Sequence, residues 1–212
     1  MRIFKNLKKY IKMSLFLNFK KSYKKVFFID QLINRYILPE VNNKKSLDIG
    51  CGLQPKNPFN AKFLHGVDVR DDLTHEFEIK EANLITQKLP YPNNEFDFVT
   101  AFDFIEHIPR IVLDKGKAKY PFIELMNEIY RVLKPNGLFL HQTPAYPSSC
   151  VFQDPTHVNI ITENTFPSYF CYPNIEAKFN GYGFIGSFDL LDQRWFHRTW
   201  VLGLMRANKN DQ

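Results

Sequence analysis

The sequence predicts an α/β domain whose mostly parallel sheet ends in an antiparallel edge, and three observations carry that prediction. Short β-prone apolar runs at 46–49, 63–67 and 96–101 are separated by long connections, as parallel strands require. A helical-period segment at 121–133 stops at Pro135-Asn136-Gly137 and is followed by a further strand at 138–142. The tail from about residue 179 reads as two strands joined by a loop, the last at 199–205, which supplies the antiparallel pairing.

Each element follows from its residues. Phe96-Asp97-Phe98-Val99-Thr100-Ala101 is rich in aromatic and β-branched side chains, which fit a pleated buried surface. In the helix, Phe122, Met126, Ile129, Tyr130 and Leu133 recur at a spacing that puts them on one face. A second helix is expected over 27–38, closed by Pro39. At 212 residues with 21 Phe and 10 Tyr, the chain can bury a sizeable core within one domain, so disorder is excluded as its default state.

Charge divides the chain into a basic arm, residues 1–40, and a body, residues 41–212. Residues 1–25 hold nine cationic and no acidic side chains; the whole chain is +6, so the remainder is −3. Ile3, Leu7, Tyr10 and Ile11 share a helical face with Lys5, Lys8, Lys9 and Lys12 largely opposite. Such a helix caps the body, rests on an anionic membrane, or binds RNA. The acidic body offers no wider basic surface, which favours membrane over nucleic acid. The apolar run near 13–17 is far short of the roughly 20 residues a span needs, and no cleavage site follows it, so a cytoplasmic protein is expected. Cys51, Cys150 and Cys171 are an odd number without metal-ligand spacing, which argues against a disulfide framework or a zinc site.

The binding chemistry begins at Leu47-Asp48-Ile49-Gly50-Cys51-Gly52, where two glycines follow a strand and let a ligand approach the backbone. Eighteen residues after Gly50 comes Asp68, at the end of the next strand, placed to accept both hydroxyl protons of a ribose. The third glycine of a dinucleotide site is missing: Pro55 stands there and Pro58 follows, so the first helix is expected to be short, delayed or absent. A ligand with adenosine but no phosphates fits better, and S-adenosylmethionine is the common one.

These motifs resemble those of class I S-adenosylmethionine-dependent methyltransferases. Leu47 to Gly52 is similar to that family's first motif and Gly66-Val67-Asp68 to its second. Leu89-Pro90-Tyr91-Pro92 before Phe96-Asp97-Phe98-Val99, then Phe104-Ile105-Glu106-His107-Ile108, then Arg131-Val132-Leu133-Lys134-Pro135-Asn136-Gly137 resemble the later ones. The resemblance runs from about residue 45 to 142 and implies a seven-stranded, mostly parallel sheet of the Rossmann-like methyltransferase type. It also implies roles. Asp48, Gly50, Cys51 and Gly52 line the methionine end, Asp68 and Val69 take the ribose, Asn83 and Leu84 face the adenine, and Phe102 and Asp103 end the fourth strand beside the sulfonium. One departure is a replaced third glycine around Gln54.

On the acceptor side, Gln153-Asp154-Pro155-Thr156-His157 lies on a proline-stiffened loop after the fifth strand. A hydroxyl acceptor must lose its proton, and histidine is the usual agent. His157 is the expected base with Asp154 as its orienter, and His107 is the competing base. The loop resembles the Asp-Pro-Thr-His stretch of many bacterial methyltransferases encoded with cell-envelope polysaccharide genes. The expectation is O-methylation of a sugar or glycan intermediate of the envelope. The alternatives are a small aromatic, lipid or quinone-type acceptor at the membrane, or a non-catalytic cofactor-binding partner subunit. Cys51 is expected to pack rather than react, since nothing nearby in sequence activates it.

Overall fold

The computed structural model describes residues 25–26, 29–36, 43–70 and 77–209. Most of the basic arm, residues 1–24, lies outside the described residues, and so do residues 27–28 and 37–38 at the two ends of the helix expected over 27–38. What is described of that helix is α1 (Asp30–Ile33) and a turn reaching Tyr36.

The strands are β1 (Lys25–Val26), β2 (Lys45–Ile49), β3 (Phe63–Asp68), β4 (Glu78–Glu81), β5 (Phe96–Phe102), β6 (Val112–Asp114), β7 (Lys117–Lys119), β8 (Leu133–Tyr146), β9 (Ile161–Thr162), β10 (Phe188–Phe196) and β11 (Trp200–Ala207). The helices after α1 are α2 (Pro121–Val132), α3 (Thr165–Tyr169) and α4 (Glu176–Phe179). One sheet has the order β1-β10-β11-β8-β5-β2-β3-β4, with β9 paired beside the end of β8. Pairs β4–β3, β3–β2, β2–β5 and β5–β8 are parallel, while β11 runs antiparallel to both β8 and β10. The seven strands of four or more residues therefore form the expected mostly parallel sheet, with the reversed strand at its antiparallel end.

Burial explains why these segments are strands. Every residue of β5 is buried, as a central parallel strand covered on both faces should be. Its side chains alternate between two cores. Val99 and Ala101 join Leu47, Ile49 and Phe139 under α2, which contributes Phe122, Leu125, Met126 and Ile129. Phe98 and Phe102 join Leu138, Leu140, Leu202 and Leu204 on the other face, with Leu32 and Ile33 of α1 and Phe59. The rings of Phe59 and Phe98 stack at 4.3 Å. Pro121 starts α2, as suits a first-turn position whose amide needs no partner.

Three differences from expectation have physical causes. The Pro135-Asn136-Gly137 turn is a wide bulge inside β8: Leu133 pairs with Phe96, then Leu138 with Phe98. Asn136 bulges with φ 62°, and the strand resumes beyond it. Strand β4, Glu-Ile-Lys-Glu, lies at an exposed edge and carries no apolar signal. Strands β6 and β7 form a hairpin outside the main sheet, turning at Lys115-Gly116, both at positive φ. Between β2 and β3 the chain is irregular from Cys51 to Lys62, in keeping with Pro55 and Pro58.

From β2 the chain moves outward to β3 and β4, then returns to place β5 and β8 on the other side. The order reverses between β2 and β5. A crevice opens outside the carboxyl ends of strands at such a point, and Gly50 and Asp103 are the residues that follow those two ends.

Candidate active site

The crevice holds a cavity of about 170 Å³ lined by Gly50, Val67, Asp68, Val69, Asn83, Leu84, Ile85, Phe104, His107 and Ile108, among others. Five residues expected at the cofactor, Gly50, Asp68, Val69, Asn83 and Leu84, meet there. Gly50 adopts φ +66°, and a Cβ on it would stand 2.2 Å from the Phe104 ring, so only glycine leaves both the turn and the ring in place.

Asp68 ends β3 with its carboxylate fixed by two backbone donors. The Gly52 amide donates to Oδ2 at 2.8 Å and the Arg70 amide to Oδ1 at 3.2 Å. A carboxylate accepts about four hydrogen bonds, so capacity remains for a diol. Asn83 folds its own turn, its Oδ1 accepting from the Ile85 amide at 3.0 Å, which positions Leu84 and Ile85 as apolar walls.

Asp48 lies beneath the glycine turn, buried, accepting from the Lys56 amide at 2.8 Å and the Thr100 hydroxyl at 2.6 Å. Burial pushes its pKa up to about 6 against the pull of these donors and the Lys56 charge. Cys51 is held against Gly66, where a Cβ would sit 2.6 Å from its Sγ. Burial first, then the Asp48 and Asp68 charges, push the thiol up to about 12, so it packs and does not react.

The expected positions at the end of β5 do not line the cavity. The Phe102 side chain belongs to the opposite core, with the Lys56 ammonium 4.7 Å from its ring centroid. Asp103 sits at φ +51° with its carboxylate accepting from Trp200 Nε1 at 2.7 Å and Gln142 Nε2 at 3.2 Å. Phe104, two residues beyond Phe102, is the ring beside Gly50. Phe102 shares the strand face of Phe98, so period-two alternation would have directed it away from the cavity.

The two histidines treated as competitors lie together. The His107 and His157 rings are 4.9 Å apart at 75°, and one donor atom from each of Glu106, His107 and His157 lies within 4.8 Å of the other two. Glu106 is buried and accepts from the Thr143 hydroxyl of β8 at 2.8 Å. Burial raises its pKa to about 7, with the nearby Asp103 and Asp154 charges adding to the rise. The Glu106 carbonyl accepts from the amides of Val158 and Asn159, which ties the loop to the 105–107 turn.

Asp154 does not bond to the His157 ring. Its Oδ1 accepts from the Thr156 hydroxyl at 2.6 Å and the Thr156 amide at 2.8 Å, and Thr156 Oγ1 lies 3.0 Å from His107 Nδ1. The orienting chain therefore runs from Asp154 through Thr156 to His107. The reason is local: Asp154 and Thr156 close a tight Asx turn, which directs the carboxylate back onto its own loop. Sequence reading missed the parts of Thr143 and Thr156, which are legible only once β8 and the loop meet the 105–107 turn.

The methyltransferase domain family matches this chain over residues 23–185. The chain belongs to that family. Its fold is similar to a putative methyltransferase of Bacillus halodurans, at 14% identity and a TM-score of 0.55, covering 85% of this chain and 98% of that one. A putative S-adenosylmethionine-dependent methyltransferase of Listeria monocytogenes gives 12% identity and a TM-score of 0.53, covering 85% and 98%. The [4+2]-cyclase SpnF gives 16% identity and 0.55, covering 84% and 79%. No curated protein matches the sequence. The methyltransferase is an enzyme that uses S-adenosylmethionine, whose sulfonium supplies the methyl group. The cavity fits that cofactor: a glycine turn, a fixed carboxylate able to accept from a ribose diol, and apolar walls able to flank a base.

Proposed function

We propose that this methyltransferase acts on oxygen, methylating a hydroxyl of a sugar or glycan intermediate of the bacterial cell envelope. The observation that carries the reading is the convergence of Glu106, His107 and His157 beside the cofactor cavity, which His107 itself lines. An already nucleophilic acceptor needs no such cluster, whereas a hydroxyl must lose its proton as the methyl arrives. In this reading Gly50 and Asp48 hold the methionine end, Asp68 the ribose, and Asn83 with Leu84 the adenine. The histidine pair receives the acceptor hydroxyl, and the Asp154–Thr156 chain fixes the His107 ring.

Most of the remaining contribution is alignment and exclusion of water, because a sulfonium is an excellent leaving group. A second hollow of about 560 Å³ is walled by Tyr120, Phe122, Tyr169, Phe170 and Tyr182, with Arg110 at its margin. Arg110 donates to the Asn159 side chain at 2.7 Å, and Asn159 donates to the Ile105 carbonyl, so the hollow adjoins the segment that carries Glu106 and His107. Tyrosine faces suit sugar rings. The apolar character of the same walls favours a second reading, an aromatic, lipid or quinone-type acceptor.

The basic arm, residues 1–25, is proposed to rest on the anionic inner face of the membrane, where each cation adds up to ~1 kcal/mol. No helix among the described residues is long and apolar enough to cross a membrane.

The test is methyl transfer to a panel of sugar nucleotides, glycans, quinols and lipids, with the methylated atom located by mass spectrometry and NMR. An O-methyl sugar is expected, with turnover reduced about 10²–10⁴-fold in His157→Ala. Methylation of nitrogen or carbon, or full turnover in both His157→Ala and His107→Ala, would overturn the reading.

A further inference from the structure

We infer that Glu106, His107 and His157 form a binding site for one divalent transition-metal ion of the zinc or manganese class, which in turn holds the acceptor's hydroxyl oxygen. The inference rests on the proposal that the acceptor is a hydroxyl. Two imidazoles and one carboxylate are the donor set such ions take when positions are left open for substrate. All three donors lie within 4.8 Å of one another. Around an ion with bonds near 2.1 Å the same atoms stand about 3.4 Å apart, a closure within reach of small rotations of two half-buried rings.

Two further observations point to a ligand here. His157 Nδ1 is buried and has no hydrogen-bond partner, an orphan atom that folding ordinarily avoids. The partners of the other two donors also match what surrounds metal ligands. His107 Nδ1 is tied to Thr156, itself held by Asp154, which leaves Nε2 as the ring's ligating atom and fixes its direction. Glu106 is steadied by the Thr143 hydroxyl, leaving lone pairs for an ion.

Sequence could not show this set, because 50 residues separate His107 from His157. The fold joins them where the loop amides of Val158 and Asn159 bond to the Glu106 carbonyl. Since His107 lines the cofactor cavity, an ion held here would adjoin the cofactor. It would bind the acceptor's oxygen and lower that hydroxyl's pKa. In this deeper reading the two imidazoles act through the ion and no longer as bases: the proton would leave to solvent, and the oxygen would keep the electron pair that forms its bond to carbon.

The experiment is calorimetric titration of the chelator-stripped full chain with ZnCl₂, repeated with CoCl₂ while visible absorption is recorded. One equivalent of each ion is expected, with cobalt bands characteristic of low coordination number. His157→Ala and Glu106→Gln should abolish that equivalent. Thr156→Val, which removes only a supporting bond, should weaken it about 10–100-fold. Binding of S-adenosylhomocysteine by each variant, unchanged, shows that the fold is intact. A variant that does not bind it is replaced by His157→Gln and measured in the same way. No stoichiometric binding, or binding indifferent to all these substitutions, overturns the metal site. Neither result bears on whether the methyl goes to oxygen, which product analysis decides separately.

Discussion

Replacing Gly50 by alanine tests the glycine cradle at a single atom. The added Cβ would lie 2.2 Å from Phe104 Cδ2 and 2.5 Å from Cγ, on a ring that packs against the main core and lines the cofactor cavity. Two costs follow. Alanine at φ +66° costs about 1–2 kcal/mol in backbone strain, and overpacking against the ring costs about 1–3 kcal/mol more. For a domain of this size each kcal/mol lowers the melting temperature by about 2–4 °C, so a fall on the order of 10 °C is expected. A ring pushed into a cavity of about 170 Å³ also displaces ligand, and affinity for S-adenosylhomocysteine should drop at least about tenfold. The assay is calorimetry for binding and a thermal melt for stability, on Gly50→Ala, Phe104→Ala and the double variant. Removing the ring relieves the clash but not the strain, so the cycle should show about 0.5–3 kcal/mol of favourable coupling. Unchanged affinity and a melting temperature within about 2 °C in Gly50→Ala would refute the reasoning.

Two other sites give sharp expectations. His141 is fully buried, its two ring nitrogens lack partners, and its ring stacks on Phe166 at 3.8 Å. Burial lowers its pKa to about 3, so its stabilising neutral form holds above the unfolded value near 6.5 and stability is lost as pH falls toward 3. His141→Met should therefore be more stable than the parent at pH 7, by about 1–3 kcal/mol, with the gap widening by up to about 1.4 kcal/mol per unit below pH 6.5; a gap equal at pH 7 and pH 5 in urea melts would contradict this. Cys51, with its thiol pushed up to about 12, should hold roughly a thousandfold less thiolate than an ordinary cysteine. Peptide mapping after iodoacetamide at pH 8 should find half-exposed Cys150 labelled and Cys51 spared, and rapid labelling of Cys51 would count against its packing role.

What the sequence disclosed follows from where each signal is stored. The strand ending in Gly50, the strand ending in Asp68, β5 and α2 were legible because turn residues and apolar period are local properties. Strand β4 was not, since Glu78–Glu81 is an exposed edge held by its pairing with β3. The bulge in β8 reads in the sequence as a turn between helix and strand because Pro135-Asn136-Gly137 serves either purpose, and only the register with β5 decides. At the site, the sequence pointed to His107 and His157, which the fold brings together, but not to the partners that hold them. Asp154 looked like the orienter of His157 from its spacing, whereas its Asx turn hands it to Thr156 and thence to His107.

The most direct test of the account is calorimetric titration of the full chain with S-adenosylhomocysteine and, separately, with NAD, in the parent and in Asp68→Ala. The account predicts binding of S-adenosylhomocysteine by the parent and none of NAD, because Pro55 stands where a dinucleotide loop carries its third glycine. Removing the Asp68 carboxylate should cost about 1–3 kcal/mol of that binding, or roughly five- to 150-fold in Kd. Tight binding of NAD, or an Asp68→Ala protein that binds S-adenosylhomocysteine as the parent does, would contradict it.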